Sequence, residues 1–207
     1  MRSPGVTVRP IVTIDGGHEV NEVWFENVEV PAGNLVGEEG RGWSYAKFLL
    51  SHERSGIAQV GRSKRELRLL KYIASQEQVD GHPLIEEPRF RDKIARLEID
   101  LMALELTEMR VTSAEREGRP PGPEASILKI KGTEIQQSLT ELMMEAVGPY
   151  ALPYIPQQSG ENWIGETVGP AYAGPLASRY FNYRKVTIYG GSNEIQRNII
   201  AQHILGL

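Results

Sequence analysis

Near the C-terminus the chain reads YGGSNEIQRNIIAQHIL, from Tyr189 to Leu205. Glycines such as Gly190 and Gly191 tolerate positive φ and let a backbone approach another molecule closely. Ser192 is a good N-cap, and the free amides of the helical turn after it favour an anion. The stretch therefore reads either as a tight link capped by serine or as a turn that receives a ligand. A second feature is acidic. Glu53, in SHERSGIA, lies three, four or seven residues from Ala46, Leu50, Ile57 and Val60, so on one continuous helix it shares their apolar face. A carboxylate on such a face is desolvated unless paired. That raises its pKa toward the range a general base needs near neutral pH. The other reading is a buried ion pair with Arg54 or with a lysine from a neighbouring helix.

Other motifs carry less. His18-Glu19 and His52-Glu53 lack the second histidine of a HExxH zinc site, and no Glu-x-x-His pair suggests a di-iron bundle, so no metal is expected. Gly37 to Gly42 is glycine-rich, but no lysine-serine/threonine pair completes a phosphate-binding loop. His203, among Ile199, Ile200 and Ile204, reads as a core or interface histidine. Lys129 and Lys131, in ILKIKGTEI, read as a solvated face, with contact to a phosphate as the sharper alternative.

The elements that would position these groups are mostly helical. Val6 to Ile14 and Asn21 to Val30 are rich in β-branched and aromatic residues, with Asp15-Gly16-Gly17 as the turn between them. The second does not alternate cleanly, so a bend is expected near Glu26-Asn27. Two strands alone bury no sheet. They must lean on helices or belong to a sheet whose other strands lie elsewhere. A long helix is expected from Trp43 to Ser75, with Ala46, Leu49 or Leu50, Ile57, Val60, Leu67 and Leu70 on its apolar face. A second follows Pro88, carries Phe90, Ile94, Leu97, Leu101 and Leu104, and ends at Gly118 to Pro121. A third runs from Pro123 to Val147 through Leu128, Ile135, Leu139, Leu142 and Ala146. A proline- and glycine-rich connection leads to two shorter helical segments. The pattern predicts a mainly α bundle, with residues 1–38 as terminal strands of a partial β-domain and 39–207 as the helical domain.

Bulk properties narrow the function classes. The chain has 207 residues and a net charge of −4, so no global basic field recruits nucleic acid or an acidic membrane. It has no cysteine, which excludes disulfides, thiolate metal sites and cysteine nucleophiles. No apolar run is long enough to span a bilayer, and the reading is cytoplasmic.

Three segments in order, NEVWFENVEVPAGNLVGEEGRGW, SHERSGIA and YGGSNEIQRNIIAQHILG, resemble the C-terminal part of the acyl-CoA dehydrogenases. Within that family the chain is most similar to the bacterial pimeloyl-CoA dehydrogenase large subunits. The resemblance covers nearly the whole chain. It implies the last strands of a middle β-domain followed by an up-down helical bundle, and removal of two hydrogens from an acyl-CoA with FAD as acceptor. It implies acyl-CoA as substrate, a homodimer or homotetramer, and the possibility of a hetero-oligomer with a second dehydrogenase subunit. The N-terminal helical domain and the flavin-lining strands have no counterpart here, so the isolated chain is expected to be inactive.

Many family members carry the catalytic glutamate directly after the tyrosine of the last turn; here that position is Gly190. A minority place it on the first bundle helix before an arginine, which Glu53-Arg54 matches. The resemblance thus makes Glu53 the base, Arg54 a ligand or pocket-floor contact, Tyr189 a wall of the acyl site and Gly190 the space beside it. It assigns Gly191, Ser192 and Glu194 to FAD, and Gly148 to the adenosine turn. Two departures weaken FAD binding. The family's Arg-x-x-Phe-Gly motif is Glu77 to Gly81 here, and Pro149 removes an amide donor from the adenosine turn. Two alternatives stay open: a non-catalytic or half-site subunit of a heteromeric dehydrogenase, and a helical-bundle interaction protein or gene remnant without activity.

Overall fold

The structure, a computed structural model, describes residues 1–52, 56, 58–118, 122–123, 125–153 and 168–207. Strands β1 (Val6–Ile11) and β2 (Val20–Phe25) pair antiparallel, with Val6 opposite Phe25 and Ile11 opposite Val20. The expected bend at Glu26-Asn27 is present, with Asn27 in the left-handed region at φ 50. Gly5 closes the open end. Its carbonyl accepts from the Glu26 amide at 2.9 Å. A Cβ on it would stand 2.2 Å from the Glu26 carbonyl oxygen, so only glycine fits.

A lone hairpin is marginal in water, and this one is tethered by its loop. Asp15 is buried. The Thr13 hydroxyl donates to its carboxylate, and Asn182 Nδ2 donates to Oδ2 at 3.0 Å. Ser178 Oγ donates to its carbonyl, also at 3.0 Å. Burial pushes the Asp15 carboxyl up, but the bonds from Thr13 and Asn182 outweigh it and hold it below its ordinary value of 3.8. A depressed carboxylate contributes stability that is complete above its unfolded value and lost as pH falls through the folded one. Docking of the hairpin is therefore expected to weaken only below about pH 4. Asp15→Ala should weaken it at every pH, read as faster hydrogen exchange of the β1 amides. Unchanged exchange would show that the loop contacts do not hold the hairpin.

The long helix expected from Trp43 to Ser75 is two helices, α1 (Gly42–His52) and α2 (Val60–Gln76). Gln59 precedes α2 with φ 48 and ψ 41, a left-handed conformation that a right-handed helix cannot pass through. Val60, Leu67 and Leu70 are buried as expected. Leu49 and Leu50 are not: they are 59% and 52% exposed. Among the described residues the apolar face of α1 is therefore exposed at Leu49 and Leu50, and the left-handed Gln59 parts it from that of α2. Glu53, Arg54 and Ile57 lie outside the described residues.

Helices α3 (Pro88–Arg116) and α4 (Ala125–Val147) follow. Pro88 opens α3, and the Glu87 carboxylate accepts from the Phe90 amide at 2.6 Å. All five expected stripe residues, Phe90 to Leu104, are buried, as are the five of α4. Helix α4 is the centre of the bundle, packed by α2, α3, α5 (Leu176–Asn182) and α6 (Asn193–Ile200). A helix covered on most sides must bury polar positions as well. The ion pairs Lys64–Glu105, Lys71–Glu98 and Lys93–Glu145 run along the partly exposed edges. Such pairs contribute about 0.2–1 kcal/mol each, so the leucine seam dominates.

Gly132 sits in the middle of α4, where glycine costs about 1 kcal/mol relative to alanine. Its reason is contact. A Cβ there would lie 2.8 Å from Ala58 Cα and 2.9 Å from the Ala58 carbonyl oxygen. Both are backbone atoms, and Ala58 is fully buried at the entry to α2. Gly132→Ala is therefore expected to destabilise the chain by about 1–3 kcal/mol, overriding the propensity gain. Urea unfolding reads the sign directly, and stabilisation would disprove the contact.

Strands β3 (Gln78–Val79) and β4 (His82–Pro83) form a tight hairpin, with Asp80 and Gly81 left-handed at φ 52 and 82. After α5 a 3-10 segment spans Tyr183–Thr187, and α6 passes into a π turn over Ala201–Leu205. His203 is exposed on that turn rather than packed in a core. No described helix is long and apolar enough to cross a membrane. Among the described residues no acidic or histidine cluster could hold a metal ion.

Candidate functional site

The glycine turn links the 3-10 segment to α6. The amides of Ile188 and Tyr189 both donate to the Lys185 carbonyl, at 2.9 and 3.2 Å, which ends the segment. Gly190 and Gly191 follow with φ 67 and 86. Both lie in the left-handed region, which an L side chain disfavours. Ser192 is extended and caps α6, its hydroxyl accepting from the Ile195 amide at a long 3.5 Å. Among the described residues, the amides of Gly190, Gly191 and Ser192 donate to no acceptor. Gly190, Gly191 and Tyr189 are all exposed. Three donors ahead of a helix N-terminus suit an oxygen or an anion.

The support beneath this turn corrects the reading of Lys129. It is not on a solvated face: it is only 3% exposed. Its Nζ donates to the Val186 carbonyl at 2.6 Å and to the Tyr189 carbonyl at 2.7 Å, and lies 5.3 Å from the centre of the Tyr189 ring. Burial pulls its pKa below the usual lysine value. Lys131 does face outward, paired with Glu134 at 3.0 Å.

One turn further along α4, Thr133 holds the other end of the link. Asn193 Nδ2 donates to Thr133 Oγ1 at 3.1 Å, and both residues are buried. Gln137 Nε2 donates to the Tyr183 and Arg184 carbonyls, each at 3.2 Å. Arg184 Nη2 returns bonds to the Gln137 carbonyl and to Thr140 Oγ1. Lys129, Thr133, Gln136 and Thr140 are all buried. Their spacing of four, three and four is helical, so a polar stripe running beside the leucine stripe was the available signal.

The remaining candidates are spread out. Glu194 lies in the first turn of α6 with its side chain 77% exposed, 4.0 Å from Arg197. Its own backbone amide and the Ser192 hydroxyl hold its carboxyl below the usual range. Gly148 follows the far end of α4 with φ 51, and no atom lies within 4 Å of where its Cβ would stand. Lys129 and Val147 are about 27 Å apart along the α4 axis, so Gly148 is remote from the Tyr189 turn of the same chain. Glu77, in the segment that replaces an Arg-x-x-Phe-Gly motif, accepts from the Tyr172 hydroxyl at 2.7 Å.

Comparison with known proteins supplies the context. The family profile "Acyl-CoA dehydrogenase, C-terminal domain" matches residues 40–205. Acyl-CoA dehydrogenase IpdE1 of Mycobacterium tuberculosis is 33% identical over 210 residues, covering 99% of this chain and 48% of that protein. The chain thus spans about half the length of this curated relative. The ChsE4-ChsE5 complex from Mycobacterium tuberculosis superposes with a TM-score of 0.79 at 28% identity, covering 100% of this chain and 51% of that one. A glutaryl-coenzyme A dehydrogenase bound to glutaryl-CoA shares the fold, with a TM-score of 0.78 at 22% identity over 99% of this chain and 48% of that one. With its bundle and its glycine turn both inside the matched residues 40–205, the chain belongs to the acyl-CoA dehydrogenase family and carries its C-terminal helical domain.

Proposed function

We propose that this chain is the C-terminal portion of an FAD-dependent acyl-CoA dehydrogenase and acts in an assembly that supplies the rest of the site. On this reading residues 1–38 are the last strands of the middle β-domain and 39–207 the bundle. The observation that carries the reading is the bare Gly190-Gly191 turn, its amides without an acceptor among the described residues, beside an exposed Tyr189 at the start of α6. The turn fits a flavin dinucleotide on one side. Amides that find no acceptor among the described residues, at a helix N-terminus, offer donors to a polar or phosphate group, so Gly191 and Ser192 would hold FAD there, and the Glu194 carboxylate would accept from a hydroxyl or amide of FAD. Gly148 offers room but few donors, because Pro149 has no amide hydrogen. A flavin supplies the acceptor for a hydride from the acyl Cβ.

The chain's own residues handle the proton and the charge. Glu53 takes the α-proton, which the thioester carbonyl has acidified. The Gly190 amide faces the thioester oxygen and stabilises the developing enolate. Arg54 lines the pocket floor and Tyr189 walls the acyl chain. The test is loading. The assembly containing this chain should bind FAD, show a flavin absorbance band and bleach with an acyl-CoA, while the chain alone should not turn over. Failure of every such assembly to bind flavin or acyl-CoA would remove the reading.

A second reading, a half-site subunit of a heteromeric dehydrogenase, is favoured by uncovered apolar surface. Trp24 and Phe25 on the hairpin and Trp43, Leu49 and Leu50 on α1 are all exposed. Surface of that kind seeks a partner. The ChsE4-ChsE5 relative is a complex of two components.

A further inference from the structure

The Tyr189 carbonyl and the Gly190 N–H belong to one peptide unit. In a trans peptide they point in opposite directions, and the described residues contain no cis peptide. Lys129 Nζ, on the buried side, holds the Tyr189 oxygen at 2.7 Å. The Gly190 N–H must therefore point away from α4, toward the exposed side of the turn. Left to itself, a peptide that leads into two left-handed glycines could rotate, because glycine accepts many backbone states. The second bond, to the Val186 carbonyl at 2.6 Å, ties the ammonium to the chain three residues earlier. The Thr133–Asn193 pair ties the chain three residues later. Gly190, Gly191 and Ser192 are thus strung between two anchors on a single turn of α4.

The ammonium also polarises what it holds. A positive charge on the carbonyl end of a peptide withdraws electron density and strengthens its N–H as a donor, as in chained hydrogen bonds. Among the described residues no carboxylate pairs with Lys129 to cancel that charge. The placement is buried, so water screens it little.

We infer that Lys129 is a positioning residue for the reaction: it locks and polarises the Tyr189–Gly190 peptide so that the Gly190 N–H is presented to a negatively charged acyl-thioester oxygen. This rests on the acyl-CoA reading above. It adds that the donor's direction and strength are set from α4 by a residue that never touches substrate. The specific consequence is discrimination. Ligands that place negative charge on the thioester oxygen gain from Lys129; ligands without that oxygen do not.

Two CoA derivatives of equal chain length test it in the flavin-loaded assembly. One is a 3-oxoacyl-CoA, which binds as an enolate. The other is an alkyl-CoA thioether, which has no carbonyl oxygen. Lys129→Met is expected to weaken the 3-oxoacyl-CoA about tenfold by calorimetry, the scale of one charge-assisted hydrogen bond. The thioether should change less than twofold. Lys129→Arg should keep the ratio of the two affinities within about threefold of the unsubstituted protein. Thr133→Val, which loosens the other anchor, is the structural control and should weaken both ligands alike. Equal weakening of both ligands by Lys129→Met would overturn the inference and leave the acyl-CoA reading standing. An unsubstituted assembly that binds neither compound would overturn both. If Lys129→Met does not fold, Lys129→Gln is measured in the same pair of titrations, with the same two outcomes.

Discussion

Glu53→Gln, in a flavin-loaded assembly, is expected to reduce bleaching by acyl-CoA about a thousandfold while leaving FAD in place. Glutamine keeps the size and hydrogen-bonding reach of glutamate but cannot accept the α-proton. A general base contributes about 10²–10⁴ in rate, so the loss falls within that span. Acyl-CoA affinity should change no more than a few-fold, because the proton is taken after binding. Two arguments point to Glu53. The resemblance implies a base directly after Tyr189 in many family members, and that position is Gly190 here, with no side chain to take a proton. And the same resemblance implies, for a minority of members, a base on the first bundle helix before an arginine, which Glu53-Arg54 fits in sequence. The fold adds one constraint. Ala58, five residues after Glu53, is fully buried against the Gly132 backbone, so the segment carrying the base has a fixed far end. Full bleaching by the glutamine variant would take Glu53 out of the chemistry.

The bundle was largely legible because leucines announce themselves. Phe90, Ile94, Leu97, Leu101 and Leu104 recur at helical spacing, and burying them admits one arrangement of α3. The break between α1 and α2 was not legible. Gln59 is an ordinary residue for a helix, and nothing local forces its φ to 48; the turn is imposed by packing, with Ala58 pressed against Gly132. The glycine turn was legible as a turn, from Gly190-Gly191 followed by a serine cap. Its support was not. Lysine is usually solvated, and nothing near Lys129 in sequence marks it as an exception. It is buried because two carbonyls left over at the end of a 3-10 segment need donors, and those carbonyls are sixty residues away in sequence. Long-range satisfaction of backbone groups leaves little trace near the residue that provides it.

Arg179→Met is expected to destabilise the bundle by about 3 kcal/mol, at the lower edge for breaking a buried pair. Arg179 on α5 reaches Glu66 on α2, which is buried. Nη2 donates to Oε1 at 2.9 Å, while Nη1 lies 2.8 Å from Oε2 but off the line of a hydrogen bond. Among the described residues, removing the guanidinium leaves a buried carboxylate with Arg65, at 3.2 Å, to answer it. That remaining partner is why the loss should sit at the lower edge. The pair itself is a different quantity from the cost of breaking it, since desolvation offsets most of its attraction. The double variant Glu66→Leu with Arg179→Met should therefore recover at least half of the loss in urea unfolding. A double variant as unstable as the single would mean the pair adds stability outright. The effect also reaches the site, because α5 leads without interruption into the 183–187 segment whose carbonyls Lys129 and Gln137 hold. Loosening α5 should therefore raise hydrogen exchange at Tyr189 before it raises exchange at Leu139, which lies deep in α4. The reverse order would place the Tyr189 turn on the bundle core rather than on α5.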